Sequence, residues 1–239
     1  YHNNFVGNTR QVYASPEVYV NIWDNGYPSG GNYWSDYSDV DLNSDGIWDH
    51  PYVIDADNID RYPLVKPFRG LAITKISTCK TVIGQGFTLS IDVTILNHGV
   101  DDEVSTVTIH ANTSVKASLT VTLTNRNFTK ITLTWNTTGV AKGNYTITAK
   151  ATSVPDESDL TDNTLTDGWI IVAMVSDITG PNGWPDGKCD MRDIGTVARL
   201  FGVNYPDPRY NPNCDVIYDL KIDMKDIGTV AKHFGETDP

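Results

Sequence analysis

The sequence predicts a mainly β protein with a small α-helical module at its C-terminal end. Apolar residues alternate with period two through the middle of the chain, as in "TLSIDVTILN" at 88–97. A stretch at 189–202, "CDMRDIGTVARLFG", returns at 222–235 as "IDMKDIGTVAKHFG". Residues 1–69 are rich in Asn, Asp, Gly and aromatic side chains and follow neither period. We therefore divide the chain into segments 1–69, 70–175 and 176–239.

The first segment contains an acidic stretch, "DVDLNSDGIWD" at 39–49, with the spacing of a calcium loop. Such a loop places oxygen ligands at alternate positions and a glycine at the sixth. The predicted ligands are Asp41, Asn43, Asp45, the carbonyl of Ile47, and Asp49. The twelfth position is Tyr52 instead of an acid, so a helix-flanked EF-hand is excluded. The alternative is a plain Asx-turn loop without metal.

Two strings in this segment, "GGNYWSDY" at 30–37 and "DLNSDGIWDHPYVI" at 41–54, carry a family likeness. They resemble the C-terminal end of NosD-type right-handed parallel β-helix proteins. The resemblance implies that residues 1–68 form the last coils and cap of a solenoid. A solenoid coil needs stacked neighbours to bury its apolar face. We therefore expect an open end, produced by truncation or completed by another chain.

The second segment, 70–175, contains five alternating stretches, flanked by "LAITKI" at 71–76 and "GWIIVAM" at 168–174. The predicted inward-facing side chains are Leu89, Ile91, Val93 and Ile95, then Val107, Ile109 and Ala111, then Leu119, Val121 and Leu123, then Ile131, Leu133 and Trp135, then Tyr145, Ile147 and Ala149. About seven short strands in this length predict an Ig-like antiparallel β-sandwich. The strings "CKTVIGQG", "VTILNHG" and "WNTTGVAKGNYTI" resemble CARDB-type (cell-adhesion-related) domains, which implies a surface module without catalytic residues.

Four N-x-[ST] sequons also lie in this segment, at Asn112, Asn127, Asn136 and Asn144. All four fall at predicted strand ends, where a glycan would project into solvent. They predict a secreted glycoprotein. The alternative is that Asn and Thr are simply common in exposed β-turns.

The repeat in the third segment, with an offset of 33 residues, predicts two copies of one loop–helix unit. Apolar residues recur at helical spacing, namely Ile194, Val197, Ala198 and Phe201, then Ile227, Val230, Ala231 and Phe234. Gly202 and Gly235 follow the two helices as C-terminal caps. We expect each helix to bury its apolar stripe against the other.

Each helix follows an acidic loop with calcium spacing. The second loop offers Asp215, Asp219, the carbonyl of Lys221, Asp223 and Asp226; the first offers Asp186, the carbonyl of Lys188, Asp190 and Asp193. Upstream of Asp186, strict spacing selects Asn182 and Trp184 as positions one and three. If "GPNGW" at 180–184 is an insertion, Asp177 and Thr179 take those positions, which we prefer because both supply oxygen. The second loop has Ile217 and Leu220 at its third and sixth positions. We therefore expect two calcium ions, the second bound more weakly.

The duplicated unit resembles a type I dockerin. The resemblance implies two calcium ions and a cohesin-type protein partner held by one helix face. The family often has a Ser-Thr pair at loop positions ten and eleven, where this chain has Met191-Arg192 and Met224-Lys225. A neighbouring subunit is therefore the alternative partner.

The third segment also holds two of the three cysteines. Cys189 lies in the first loop and Cys214 immediately precedes the second. Facing loops would bring the two thiols together, so we predict a Cys189–Cys214 disulfide. The alternative is two buried free thiols.

The composition of the chain excludes some classes of function and partner. A net charge of −12 without a Lys/Arg cluster excludes nucleic acid as a partner, and no apolar run is long enough to span a membrane. The five histidines are scattered, which disfavours the copper handling that the NosD likeness implies. We expect a secreted, calcium-binding, non-enzymatic structural or adhesion protein, a subunit of a filament or sheath at the cell surface. The alternative is a dockerin-tethered fragment of a polysaccharide-active β-helix enzyme, and surface polysaccharide is a further candidate partner.

Overall fold

The computed structural model describes residues 1–12, 21–157 and 159–238, and within them the chain is mainly β, as predicted. The first segment contains β1 (Asn4–Phe5), β2 (Tyr33–Trp34), β3 (Tyr52–Val53) and β4 (Ile59–Asp60). Strand β1 lies parallel to β2, and Tyr33 forms a parallel bridge to Leu64. Three successive passes of the chain are therefore stacked side by side. The strands are two residues long, and the β-helix assignment stays a prediction.

Stacked aromatic rings support these passes. Phe5 lies on Trp34 and Trp34 on Tyr52, each pair with ring centroids 4.2 Å apart. The fully buried carboxylate of Asp60 accepts the main-chain N–H of Asn32 at 2.7 Å and the indole N–H of Trp34 at 2.9 Å. Since a buried carboxylate needs such donors, this one residue joins two of the three passes.

The second segment forms two facing sheets from eight strands. These are β5 (Leu71–Thr78), β6 (Val82–Gly84), β7 (Thr88–Asn97), β8 (Glu103–Ala111), β9 (Ser114–Leu123), β10 (Phe128–Asn136), β11 (Gly143–Ala151) and β12 (Thr164–Ala173). One sheet has the order β10-β7-β5 and the other β6-β12-β11-β8-β9. The extra strand relative to the predicted seven is β6, which pairs parallel to β12. Its three residues are too few to display an alternation.

The predicted inward-facing side chains fill the space between the sheets, with one exception. Leu89, Ile91 and Val93 have no exposed surface, and Trp135 is 1% exposed. Leu119 of β9 is instead 41% exposed, which corrects its predicted place in the core. Among the described strands β9 pairs with β8 alone, so it is an edge strand. Alternation predicts which face of an edge strand points inward, but the opposite sheet does not cover that face completely.

The third segment contains α1 (Met191–Ala198) and α2 (Met224–Lys232). Asp190 and Asp223 cap the helix N-termini, each in a reciprocal capping box with the acid three residues later. After each helix the chain crosses to the other copy. The N–H of Gly235 donates to the carbonyl of Cys189, and that of Gly202 to the carbonyl of Ile222, both at 2.8 Å. The two copies therefore depend on one another, as the duplication predicts.

The apolar stripes of these helices are only partly buried. Val197 and Val230 have no exposed surface, but Phe201 and Phe234 are 56% and 54% exposed. This corrects the prediction that the phenylalanines complete the buried stripes. The helices end at Ala198 and Lys232, and each phenylalanine follows in a turn that directs it outward. Neither helix of the described chain has the length and apolar character needed to cross a membrane.

Candidate functional site

The loop at 41–49 closes on its own carboxylates. Asp41 accepts the main-chain N–H groups of Asp45 at 3.2 Å and Gly46 at 3.1 Å, while Asp45 accepts that of Ile47 at 2.9 Å. Asp49 accepts the N–H of Leu42 at 3.1 Å. Gly46 has a φ of 87°, the left-handed conformation that the sixth position of a calcium loop requires. Asn43 also lies in this turn, and its amide donates to Asp45 at 2.8 Å.

In the first loop of the C-terminal segment, Asp177 takes the same role as Asp41. Its carboxylate accepts the N–H groups of Asp186 at 3.2 Å and Gly187 at 2.8 Å. Asp193 closes the loop from the other end and accepts the N–H of Thr179 at 3.0 Å and of Asp190 at 2.8 Å. Asp177 therefore makes the contacts that Asp41 makes in the 41–49 loop, and its assignment to position one, with "GPNGW" inserted, stays a prediction. Of the two residues that strict spacing selects, Trp184 packs edge-on against Trp169 of the sandwich.

The second loop repeats this pattern with different residues. Asp215 accepts the N–H groups of Asp219 at 3.1 Å and Leu220 at 2.8 Å. Asp226 accepts those of Ile217 at 3.2 Å and Asp223 at 2.9 Å. Leu220 has a φ of 66° where Gly187 has 81°, so a non-glycine residue adopts the conformation that glycine normally supplies.

The position-seven residues lie where the two copies meet. Lys188 forms an antiparallel bridge to Thr237, and Lys221 forms one to Asn204. The hydrogen bonds of each bridge are made by the residues on either side: the N–H of Asp238 donates to the carbonyl of Gly187 at 2.7 Å, and the N–H of Tyr205 to that of Leu220 at 3.0 Å. The carbonyls predicted as calcium ligands are therefore positioned by paired neighbours and are not the acceptors in these bonds. Such pairing sets the loop geometry before any ion binds.

The acidic side chains at these loops are unusually buried. Asp193, Asp215 and Asp226 have no exposed surface. Burial raises the pKa of Asp177 to about 6; the N–H donors of Gly187 and Asp186 oppose this rise, and the charge of Asp193 adds to it. Burial likewise raises the pKa of Asp226. Negative charges held together in this way favour a cation beside them.

We tested whether the loops fit calcium. No three His, Cys, Asp or Glu side chains converge as a metal group in the part of the chain that the structure describes. Calcium loops, however, also use main-chain carbonyls, side-chain amides and water as ligands. The 41–49 loop and the first C-terminal loop offer oxygen donors and glycine at the required positions. Their residues therefore fit calcium.

The second loop fits calcium poorly. Ile217 supplies no side-chain oxygen at position three. The Tyr210 hydroxyl donates to Oδ2 of Asp215 at 2.6 Å, and the ammonium of Lys225 lies 3.1 Å from Asp219. Two of the carboxylates that would bind the ion are therefore already engaged by hydrogen-bond donors of this chain.

The three cysteines, all within the described residues, are free thiols, so the structure corrects the predicted Cys189–Cys214 disulfide. Both thiols are fully buried in the apolar core of the C-terminal segment. Cys189 donates from Sγ to the carbonyl of Val230 at 3.4 Å, toward α2. It occupies the core position that Ile222 fills in the second copy, and this apolar packing role explains its orientation.

Each predicted sequon asparagine is exposed: Asn112, Asn127, Asn136 and Asn144. Asn112 lies in the tight turn between β8 and β9, Asn136 ends β10, and Asn144 begins β11. These positions leave room for a glycan, and glycosylation itself stays a prediction.

Four large apolar side chains in and after the helices are exposed, and two of them, Met191 and Met224, lie at the positions where the dockerin resemblance expects partner contacts. Met191 is 65% exposed and Met224 is 63% exposed, and Phe201 and Phe234 follow one helix length later. Each of these residues recurs after 33 positions, so the same pair of side chains is displayed twice. We call these four residues the helix face. The signal was present in the repeat, because Met191 and Met224 do not belong to the buried stripe.

Comparison with known proteins gave matches among solved structures only; no family model and no curated protein sequence matches the chain. A CARDB domain from Pyrococcus furiosus, in complex with di-metal ions, is 23% identical with a TM-score of 0.38, and the match covers 45% of this chain and 96% of that chain. A domain assigned to a Methanosarcina acetivorans cell surface protein is 23% identical with a TM-score of 0.34, covering 44% and 92%. An interface mutant of a type II cohesin–X-dockerin complex from Acetivibrio cellulolyticus is 20% identical with a TM-score of 0.25, covering 56% and 83%.

Proposed function

We propose that this chain is a secreted, non-enzymatic surface or adhesion protein that binds a neighbouring subunit through the helix face. The observation that carries the proposal is the repeated exposure of Met191 with Phe201 and of Met224 with Phe234. Large apolar side chains exposed together mark contact surfaces in soluble proteins. Methionine and aromatic residues are also the types enriched at protein interfaces.

The repeat gives this surface a further property. The two copies are joined reciprocally through Cys189 and Ile222, and each presents one Met–Phe pair. A surface that displays one pattern twice suits a contact between identical subunits, in which the same patch is used on both sides. A cohesin-like module is the alternative partner, and it would use the same face.

In this proposal, calcium orders the loop that precedes the first helix. Asp193 closes the first loop and forms the capping box of α1, so an ion in that loop would fix the start of the helix that carries Met191. In the first segment the 41–49 loop binds a second ion and stiffens the cap. Extracellular calcium is roughly millimolar, the range in which weak surface modules are loaded. Partner binding is therefore calcium-dependent.

Sedimentation velocity of the full chain tests this proposal. We expect assemblies larger than the monomer in millimolar calcium and monomers in EDTA. The double variant Met191→Lys/Met224→Lys should sediment as a monomer in both buffers, because charge at the centre of an apolar contact is not tolerated. Val104→Lys is the matched control, since Val104 is 62% exposed on the sandwich. A wild-type monomer that is indifferent to calcium contradicts the proposal.

A further inference from the structure

The second C-terminal loop differs from the first in what surrounds its position-one carboxylate. Asp177 of the first loop receives main-chain donors. Asp215 receives the equivalent donors and also the Tyr210 hydroxyl. Asp215 has no exposed surface, and neither has Asp226 at the other end of the loop. Two buried carboxylates in one loop need a positive charge close by.

A lysine from the sandwich brings a positive charge to this loop, through the main chain of Asp215 and not through an ion pair with either carboxylate. Lys80 lies between β5 and β6, is 6% exposed, and donates from Nζ to the main-chain carbonyl of Asp215. Its ammonium also lies over the ring of Tyr218, 5.1 Å from the centroid, a favourable cation–π arrangement. Lysine is almost never this buried without partners. The partners of Lys80 belong to the second loop, 135 residues away in the sequence.

Neighbouring residues continue the same contact. The side-chain oxygen of Asn213 accepts the N–H groups of Thr81 at 3.0 Å and Val82 at 3.1 Å, and its amide donates to the Thr81 hydroxyl at 2.9 Å. Val82 begins β6, which pairs with β12 of the sandwich. The second loop is thus attached to a sheet strand through both main-chain and side-chain bonds.

The basic side chain beside the first loop comes from a different part of the chain. Its basic partner among the described residues is Arg192, 3.2 Å from Asp190 and 3.9 Å from Asp186. Arg192 belongs to α1 itself, and its side chain is 56% exposed. The first loop therefore keeps glycine at position six and oxygen at position three, while the second loop has Leu220 and Ile217 there and gains a buried ammonium.

We propose that Lys80 takes the place of calcium in the second loop, so that this loop is a calcium-independent joint between the sandwich and the C-terminal segment. The first loop alone in this segment then responds to calcium. The ammonium stabilises the loop from the sandwich side, and the loop in turn holds the sandwich against the two helices. This inference concerns the joint within one chain and does not rest on which partner the helix face binds.

Hydrogen exchange of the full chain, read by peptide mass spectrometry, tests the proposal loop by loop. In EDTA we expect the amides of residues 217–223 to be protected in the wild type. Calcium should slow exchange in residues 178–190 by about 10-fold or more and change residues 217–223 by less than about 2-fold. Equal protection of both loops by calcium would overturn the proposal.

Variants of Lys80 provide the second arm. Lys80→Met should accelerate exchange of residues 217–223 in EDTA by about 100-fold, because the buried carboxylates lose their compensating charge. Lys80→Arg, which keeps the charge, should retain most of the protection. Lys75→Met is the matched control, since Lys75 is an exposed lysine on β5. Exchange in Lys80→Met equal to that in Lys75→Met would refute the proposal, and the wild-type calcium response decides it if Lys80→Met does not fold.

Discussion

The buried contact between Gly31 and Asp60 gives the sharpest test of how the first segment holds together. A Cβ atom added at Gly31 would lie 1.8 Å from Oδ1 of Asp60, far inside any allowed contact. Asp60 has no exposed surface and accepts N–H groups from Asn32, Trp34 and Tyr62. Gly31→Ala must therefore displace the carboxylate from its donors.

The size of the effect follows from those hydrogen bonds. Each bond to a charged group contributes about 1.5–3 kcal/mol, and the required displacement breaks at least two of them. A Gly→Ala change also lowers the conformational entropy of the unfolded chain, which raises stability by only about 0.4–1 kcal/mol. We expect Gly31→Ala to lower the free energy of local unfolding of this segment by about 3 kcal/mol.

Exchange of the Trp34 indole proton, measured by NMR, reports on this segment without interference from the others. A loss of 3 kcal/mol corresponds to exchange accelerated by roughly 100-fold. Gly195→Ala is the control, because a Cβ at Gly195 meets nothing within 4 Å and alanine favours its helix. Trp34 exchange that is unchanged in Gly31→Ala would refute the reasoning.

Three further predictions concern the loops, the buried carboxylate and the cysteines. Asp177→Ala removes the position-one carboxylate of the first loop, so calorimetry should find one calcium-binding event weakened by about 10-fold or more. The control Asp207→Ala, at a half-buried residue that pairs with Arg209 outside the loops, should leave calcium binding unchanged. Burial raises the pKa of the Asp60 carboxyl group above 3.8, although hydrogen bonds from Trp34 and Asn32 act to lower it. The folded chain therefore binds a proton at Asp60 more tightly than the unfolded chain does. The contribution of this protonation to stability is then complete below pH 3.8 and declines as pH rises through the folded pKa. Urea titrations across the acidic range should therefore show that the free energy of unfolding varies less with pH in Asp60→Asn than in the wild type. The same pH dependence in both proteins would contradict the raised pKa of Asp60. Burial raises the pKa of Cys189 and Cys214 to about 11. Iodoacetamide at pH 8 should therefore label neither thiol in the folded chain and both after denaturation. Recovery of a disulfide-linked Cys189–Cys214 peptide would show that the two cysteines are not free thiols.

Much of the fold was predictable because its signals are local. Alternation identified the long strands of the sandwich, since each strand faces solvent on one side and the core on the other. Strand β6 was not predicted, because its three residues, 82–84, show no alternation and form a strand only by pairing with β12. Leu119 was misplaced because its exposure depends on how far the opposite sheet extends, which no single strand encodes.

The loops show the same division between local and distant information. The predicted register at Asp177 rests on the need for oxygen at position one, a chemical argument available in the sequence. The disulfide failed as a prediction although the repeat aligns Cys189 with Ile222, which marks an apolar core position. Lys80 was beyond prediction, because its contact with Asp215 depends on how two segments far apart in the chain pack together.

The number of calcium ions bound by the full chain distinguishes calcium from Lys80 as the charge at each loop. We assign an ion to the 41–49 loop and to the first C-terminal loop, and Lys80 to the second. Equilibrium dialysis of EDTA-stripped protein in millimolar calcium, with the metal quantified by mass spectrometry, should therefore approach about two ions per chain. A third ion that is lost in Asp219→Ala would contradict the role of Lys80, and a chain that binds none would contradict the calcium loops altogether.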